Sequence, residues 1–321
     1  MRNSPPMQGK SPFRAVLRLA TVALAMLGAG LSTPATAQDG NGWELDPFAR
    51  VEAGVVTSES SDREDELIIV GDGGYLRGQV GVELKDETTT FRLEADRIQV
   101  ERFGNATGRE RYDRDRFTAS VEQEFGDDWA VRLQGRIYDD LVSVESADTD
   151  EVQASVRIEY QPVLEHRVRA TVTWRDREYA NTDGPNGTAS EGEGLRVDLD
   201  YRHRIGRYHY VNVDLRAEEI DSDNPDRAYT RESASLSYTR PITDDLRVRP
   251  AIEVRHTRFE GRMTPGGIPR DDTQFVPEVE FLWWPGDWRI EAEAKYIVST
   301  SNDPVRMREG YRLSLSLAHV F

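Results

Sequence analysis

The chain has 321 residues, with 41 Lys+Arg against 58 Asp+Glu and a formal net charge of −17. It contains no cysteine, which excludes disulfide frameworks, thiolate metal sites, cysteine nucleophiles and a lipidated cysteine anchor. The acid excess argues against a nucleic-acid partner, because phosphate neutralisation needs a basic surface. A mean hydropathy of −0.65 suggests a soluble protein until the apolar residues are placed along the chain.

The first segment is unlike the rest. Arg2, Lys10, Arg14 and Arg18 form a basic leader, an apolar run follows from Leu19 to Leu31, and Pro34 precedes Ala35-Thr36-Ala37. This pattern predicts a secretory signal peptide over residues 1–37, cleaved between Ala37 and Gln38. The remaining residues, 38–321, read as one domain. They contain no apolar run long enough for a transmembrane helix.

From residue 47 onward, apolar and polar residues alternate with a period of two. In chain order the segments are 47–56, 75–85, 89–101, 116–125, 129–139, 151–160, 166–175, 194–203, 209–219, 230–240, 246–256, 273–283, 288–298 and 310–321. Each is a β-strand with one apolar and one polar face, long enough to cross a bilayer when tilted. The weakest is 89–101. Phe91, Leu93 and Ala95 share one parity but Ile98 and Val100 take the other, which predicts a bulge or a strand end near Asp96.

The connections alternate short and long. Tight turns centre on Lys85-Asp86-Glu87, Gly126-Asp127-Asp128, Gln161-Pro162-Val163, Ile205-Gly206-Arg207, Thr243-Asp244-Asp245 and Pro285-Gly286-Asp287. Long loops fall at 57–74, 102–115, 140–150, 176–193, 220–229, 257–272 and 299–309. A sandwich has no reason to make its two ends differ so regularly. A membrane barrel does, with short turns on the periplasmic side and long loops outside. The predicted fold is all-β: a transmembrane, antiparallel, up-and-down barrel of about 14 strands, closed because hydrocarbon satisfies no backbone polar group.

The aromatic residues follow the same plan. Phe125, Trp129, Tyr160, Tyr201, Tyr238, Trp283, Trp288 and Phe321 lie at short-turn ends on the apolar parity. Phe117, Trp174, Phe275, Tyr296 and Tyr311 lie at long-loop ends. These are expected as two membrane girdles, with Trp129, Trp174, Trp283, Trp288, Tyr296 and Phe321 as the main anchors. The run Tyr311 to Phe321 covers about 33 Å along a strand and about 25 Å after tilt, the height of an apolar belt.

The last strand, with Tyr311, Leu313, Leu315, Leu317, His319 and terminal Phe321 on one parity, resembles the C-terminal signature of Gram-negative outer-membrane β-barrels. His319 stands where an aromatic residue is commoner. The resemblance implies an outer-membrane location among lipid and lipopolysaccharide, and recognition of Tyr311, Leu313, Leu315, Leu317 and Phe321 by the barrel assembly machinery.

The polar face is densely charged. Arg132, Arg136, Arg167, Arg169, Arg247 and Arg249 stand against Glu122, Glu124, Glu278, Glu280, Glu291 and Glu293, and all twelve are expected to line the lumen. Cross-strand pairing of opposite charges follows. Eight strands already close around a side-chain-filled interior, so fourteen leave room for a charged, water-filled passage. The expected role is passive diffusion of small hydrophilic solutes. The alternatives are a barrel component of a polysaccharide or lipoprotein export system, or a barrel stapled shut by ion pairs. The barrel of surface lipoprotein assembly modifiers looks similar in size, but those proteins carry a helical repeat domain with no counterpart in this sequence. Some outer-membrane barrels are hydrolases. Here His166, His203 and His209 fall at short turns, and His256 and His319 on the lipid-facing parity, so no general base is placed in the lumen. No catalytic set, cofactor or metal site is expected. The acidic loops around Glu59–Glu66 and Asp221–Asp226 read as solvated, with Ca²⁺ binding the lesser alternative.

Overall fold

The computed structural model describes residues 37–38, 42–59, 71–103, 111–141, 149–183 and 189–321. The expected leader, apart from Ala37, and the acidic stretch 60–66 lie outside the described residues. Ala37–Gln38 pair with Leu45 and Glu44.

Fourteen strands form the barrel: β1 (Glu44–Ser58), β2 (Gly71–Lys85), β3 (Thr89–Arg102), β4 (Arg111–Phe125), β5 (Trp129–Leu141), β6 (Thr149–Val163), β7 (His166–Asp183), β8 (Ala189–Gly206), β9 (His209–Ser222), β10 (Tyr229–Pro241), β11 (Leu246–Met263), β12 (Pro269–Trp283), β13 (Trp288–Ser301) and β14 (Arg308–Val320). Each pairs antiparallel with its neighbours in sequence. β14 pairs with β1, from Arg312 opposite Ser58 to Val320 opposite Arg50, and the sheet closes without an edge. Every expected strand is present.

The tight turns are held locally. The Asp86 carboxylate accepts from the backbone N–H of Thr88 (2.8 Å) and Thr89 (2.7 Å). These bonds favour its ionised form and hold its pKa below the usual carboxylate value. Thr243 Oγ1 accepts from Leu246 N at 3.0 Å. Gly126 and Gly286 adopt φ of 63° and 60°, the left-handed turn conformation that favours glycine.

The outward face is apolar and uncovered. Val55 is 52% exposed, Leu133 51% and Leu315 50%. A soluble protein does not leave a continuous apolar surface of this kind in water. Hydrocarbon is the medium that matches it.

Two expectations are corrected. The bulge or strand end at Asp96 is absent: β3 pairs in unbroken register with β2 and β4, from Thr89 through Arg102 on the β3 side. The parity change has another cause. Ile98 and Val100 point inward and are buried with Val56, against Tyr75. An interior packed by side chains accepts apolar groups as readily as a membrane does. The loops also begin later than expected. β7, β8 and β11 continue past the apolar belt, where Asp176, Glu178, Glu191, Glu193 and Arg258 occupy the outward positions. The backbone ladder persists there, but both faces are polar, so alternation disappears from the sequence.

Glycine lets aromatic rings lie flat on the inner wall. A Cβ at Gly81 would stand 2.3 Å from the Phe48 ring, and one at Gly54 would stand 2.3 Å from the Tyr75 ring. Arg92 in turn stacks over Phe48 at 4.3 Å.

Candidate lumen site

Barrel closure turns two neighbouring groups of strands into opposite walls. β6 and β13 are seven strands apart in a ring of fourteen and therefore face each other. The β5–β7 wall carries Arg132, Arg136, Arg157, Arg167 and Arg169 on the inward parity. The β12, β13 and β1 wall carries Glu278, Glu280, Glu291, Glu293 and Glu52 on the inward parity.

Opposite charges pair along these walls in several places. Arg132 Nε donates to Glu122 at 2.7 Å across the β4–β5 hairpin. Arg167 lies 3.4 Å from Asp200, and Arg169 is bonded to Glu159. Arg249 is bonded to Glu280. Glu124 is exposed at the β4–β5 turn. Arg247 stacks on Tyr208 at 3.7 Å and Trp284 at 4.3 Å near the short-turn mouth.

The register also brings like charges together. Arg132 stands opposite Arg157, and Glu280 opposite Glu293. The Glu278, Glu280 and Glu293 carboxylates lie within 4.8 Å of one another. Lys295 Nζ lies 3.3 Å from Glu278 and 3.3 Å from Glu293, so a resident cation already answers this cluster. Glu52, Glu280, Glu291, Glu293 and Arg312 line a small cavity of about 160 Å³ on this wall. A larger polar cavity of about 520 Å³ lies against β5–β11, with Arg136, Arg157, Thr171, Asp198 and Asp214 in its lining.

Towards the long-loop end the interior is densely packed. Glu151 accepts from Arg175 Nη2 at 2.9 Å and is bonded to Arg177. Glu218 is bonded to Arg175, accepts from Tyr229 Oη at 2.8 Å and lies 3.7 Å from Arg231. Tyr229, Ile220 and Phe259 form a buried apolar cluster beside it. Across the barrel, Asp96 is bonded to Arg77 and lies 3.2 Å from Arg114. Arg175 belongs to the charged polar face legible in the sequence, but its pairing with Glu151 and Glu218 is not, because the alternation that reveals register fades past the apolar belt. Arg157, by contrast, shares its parity with Gln153, Ser155 and Glu159 and was legible.

The girdle aromatics sit at the belt edges. Trp129 packs on Tyr160 at 4.3 Å, and Trp174 Nε1 donates to Glu193 at 2.6 Å. Tyr296 stands opposite Tyr311, and Trp283 opposite Leu246 and Ile290. His319 lies between Trp288 (4.7 Å) and Phe321 (4.3 Å), which places its ring within the aromatic girdle. His166 contacts Tyr201 Oη at 2.9 Å and His209 contacts Tyr238 Oη at 2.6 Å, both at the short-turn rim. His256 faces outward at 3.3 Å from Asp271. The Asp221–Asp226 stretch closes on itself: Asn224 Oδ1 accepts from Asp226 N at 3.1 Å, and Asn224 N donates to Ser222 Oγ at 3.2 Å.

No protein-family model matches the chain. No curated protein matches it. Solved structures do. OmpT folded in vitro, an outer membrane protein of Vibrio cholerae, aligns with a TM-score of 0.52 at 10% identity, over 88% of this chain and 99% of that one. OmpT expressed in the outer membrane of Vibrio cholerae aligns with a TM-score of 0.53 at 10% identity, over the same shares of 88% and 99%. A Pseudomonas aeruginosa FadL homologue reaches a TM-score of 0.47 at 9% identity, over 85% of this chain and 90% of that one. The fold is that of the bacterial outer-membrane β-barrels.

Proposed function

We propose that this protein is an outer-membrane channel for small hydrophilic solutes, placed among lipid and lipopolysaccharide after its leader is removed. The observation that carries the reading is the opposition of an arginine wall on β5–β7 to a glutamate wall on β12, β13 and β1, with a polar cavity of about 520 Å³ inside. Fixed charges of opposite sign across a lumen orient charged and dipolar solutes, and lumen charge tunes selectivity. The apolar belt and its two girdles support the location.

The test is single-channel recording of the refolded barrel in a planar bilayer. Discrete steps that scale with salt, and a non-zero reversal potential in a salt gradient, are the expected result. Silence from a folded, inserted barrel would overturn the reading. A second reading is a barrel held shut within an export or surface-assembly system. It draws on the buried Glu151–Arg175–Glu218–Tyr229 network and the inward Ile98 and Val100. A silent barrel that co-purifies with a periplasmic protein or polysaccharide would favour it.

A further inference from the structure

A guanidinium on the inner wall of this barrel is in most places answered by a carboxylate. The arginines around the larger cavity divide on this criterion. Arg196 and Arg216 both hold Asp198, at 2.9 and 2.6 Å, and Arg169 holds Glu159. Among the described residues, Arg136 and Arg157 meet only neutral acceptors. Arg157 Nε donates to Thr171 Oγ1 at 3.4 Å. The Gln134 amide, with its oxygen turned to the guanidinium, accepts from Arg136 Nε and Nη2 at 3.1 Å each.

Arg157 also stands opposite Arg132, a like-charge juxtaposition that weakens a sheet. The carboxylates of the same cavity are engaged elsewhere. Asp200 lies 3.4 Å from Arg167, and Glu253 lies 2.8 Å from Arg255. Asp214 accepts from Ser235 at 3.1 Å, and its strand β9 is three strands from β6, about 14 Å around the wall.

We propose that Arg136 and Arg157 form an oxyanion site in the lumen, which takes the carboxylate or phosphate group of a small hydrophilic solute. The two guanidinium groups line one cavity from neighbouring strands, four positions apart in register, and each supplies the planar, forked donors that suit such groups, while the oxyanion supplies the charge that the wall lacks. Asp214 lines the same cavity and repels a second anionic group, which restricts the site to one oxyanion per solute. The inference rests on the channel reading for its meaning as a point on a passage, while the site itself requires only that water reach the lumen.

The test is calorimetric titration of the refolded full barrel in detergent micelles at low salt. Inorganic phosphate and succinate serve as separate probes, which distinguishes the two oxyanion chemistries. Saturable binding of at least one is expected. It should weaken about ten-fold or more in R136Q/R157Q, as charge-assisted bonds are lost. It should fall between those limits in R136K/R157K, where the charge stays and the fork goes. Arg289→Gln, at the short turn outside the cavity, should bind as the native chain does. A gel-mobility shift on heating confirms that each variant is folded. No saturable binding of either anion by the folded native barrel, or unchanged binding by R136Q/R157Q, would overturn the site. Conductance steps without binding remove the site and leave the channel. Binding by a silent barrel removes the passage and leaves the site.

Discussion

Arg157 on β6 stands directly opposite Arg132 on β5, inside a barrel whose other arginines mostly face carboxylates. Like charges in register oppose strand pairing. Arg157→Gln therefore leaves the barrel as stable as the native chain, or slightly more so. Urea unfolding in micelles, followed by tryptophan fluorescence, checks this. A clear loss of stability would mean that Arg157 holds the wall together through a contact other than its bond to Thr171.

The opposite outcome is expected at Glu218. Its carboxylate is buried, bonded to Arg175 and Tyr229 and close to Arg231. Glu218→Gln leaves Arg175 to Glu151 and removes the carboxylate that Arg231 approaches. Breaking a buried pair on one side costs about 3–5 kcal/mol. The same urea titration should show a large drop in midpoint, with an unchanged slope if the unfolded chain is unaffected. A change below about 1 kcal/mol would mean that water reaches this network.

What could be read from the sequence follows from what fixes each feature. Leu313, Leu315 and Leu317 alternate because one face meets hydrocarbon, and that pattern needs no knowledge of the neighbouring strands. The Glu122–Arg132 pair was legible because the tight Gly126-Asp127-Asp128 turn fixes the register of its hairpin. The Arg132–Arg157 apposition was not, because β5 and β6 are joined through residues 142–148, a connection that fixes no register in advance. Ile98 and Val100 misled for a different reason. Apolar residues on the inner parity imitate a break in the strand, whereas the interior there is filled and accepts them.

A short turn outside the membrane contributes acid sensitivity through Asp86. Asp86 has its pKa lowered first by the backbone N–H of Thr88, then by that of Thr89. A depressed folded pKa contributes stability above the unfolded value, about 3.9 for aspartate, and that contribution is lost as pH falls through the folded value. Asp86→Ala should thus unfold at a lower temperature than the native chain at pH 7. The gap between them should close progressively below about pH 4. A gap that stays constant from pH 7 to pH 2 would exclude the ionised form as the turn's acceptor.

The ion preference of the lumen can be moved in either direction by design. Arg132, Arg136, Arg157 and Arg169 supply the positive wall, and Glu278, Glu280, Glu291 and Glu293 the negative one. Replacing the four arginines with glutamine leaves the glutamates as the dominant fixed charge and should move the reversal potential in a potassium chloride gradient towards cation preference. Replacing the four glutamates with glutamine should move it towards anions. Because the first set removes four positive charges and the second four negative ones, the shifts should have opposite signs. Both should shrink as salt rises and the Debye length falls from about 10 Å at 0.1 M to about 3 Å at 1 M. Shifts of the same sign, or none in a conducting barrel, would place the ion path away from these walls.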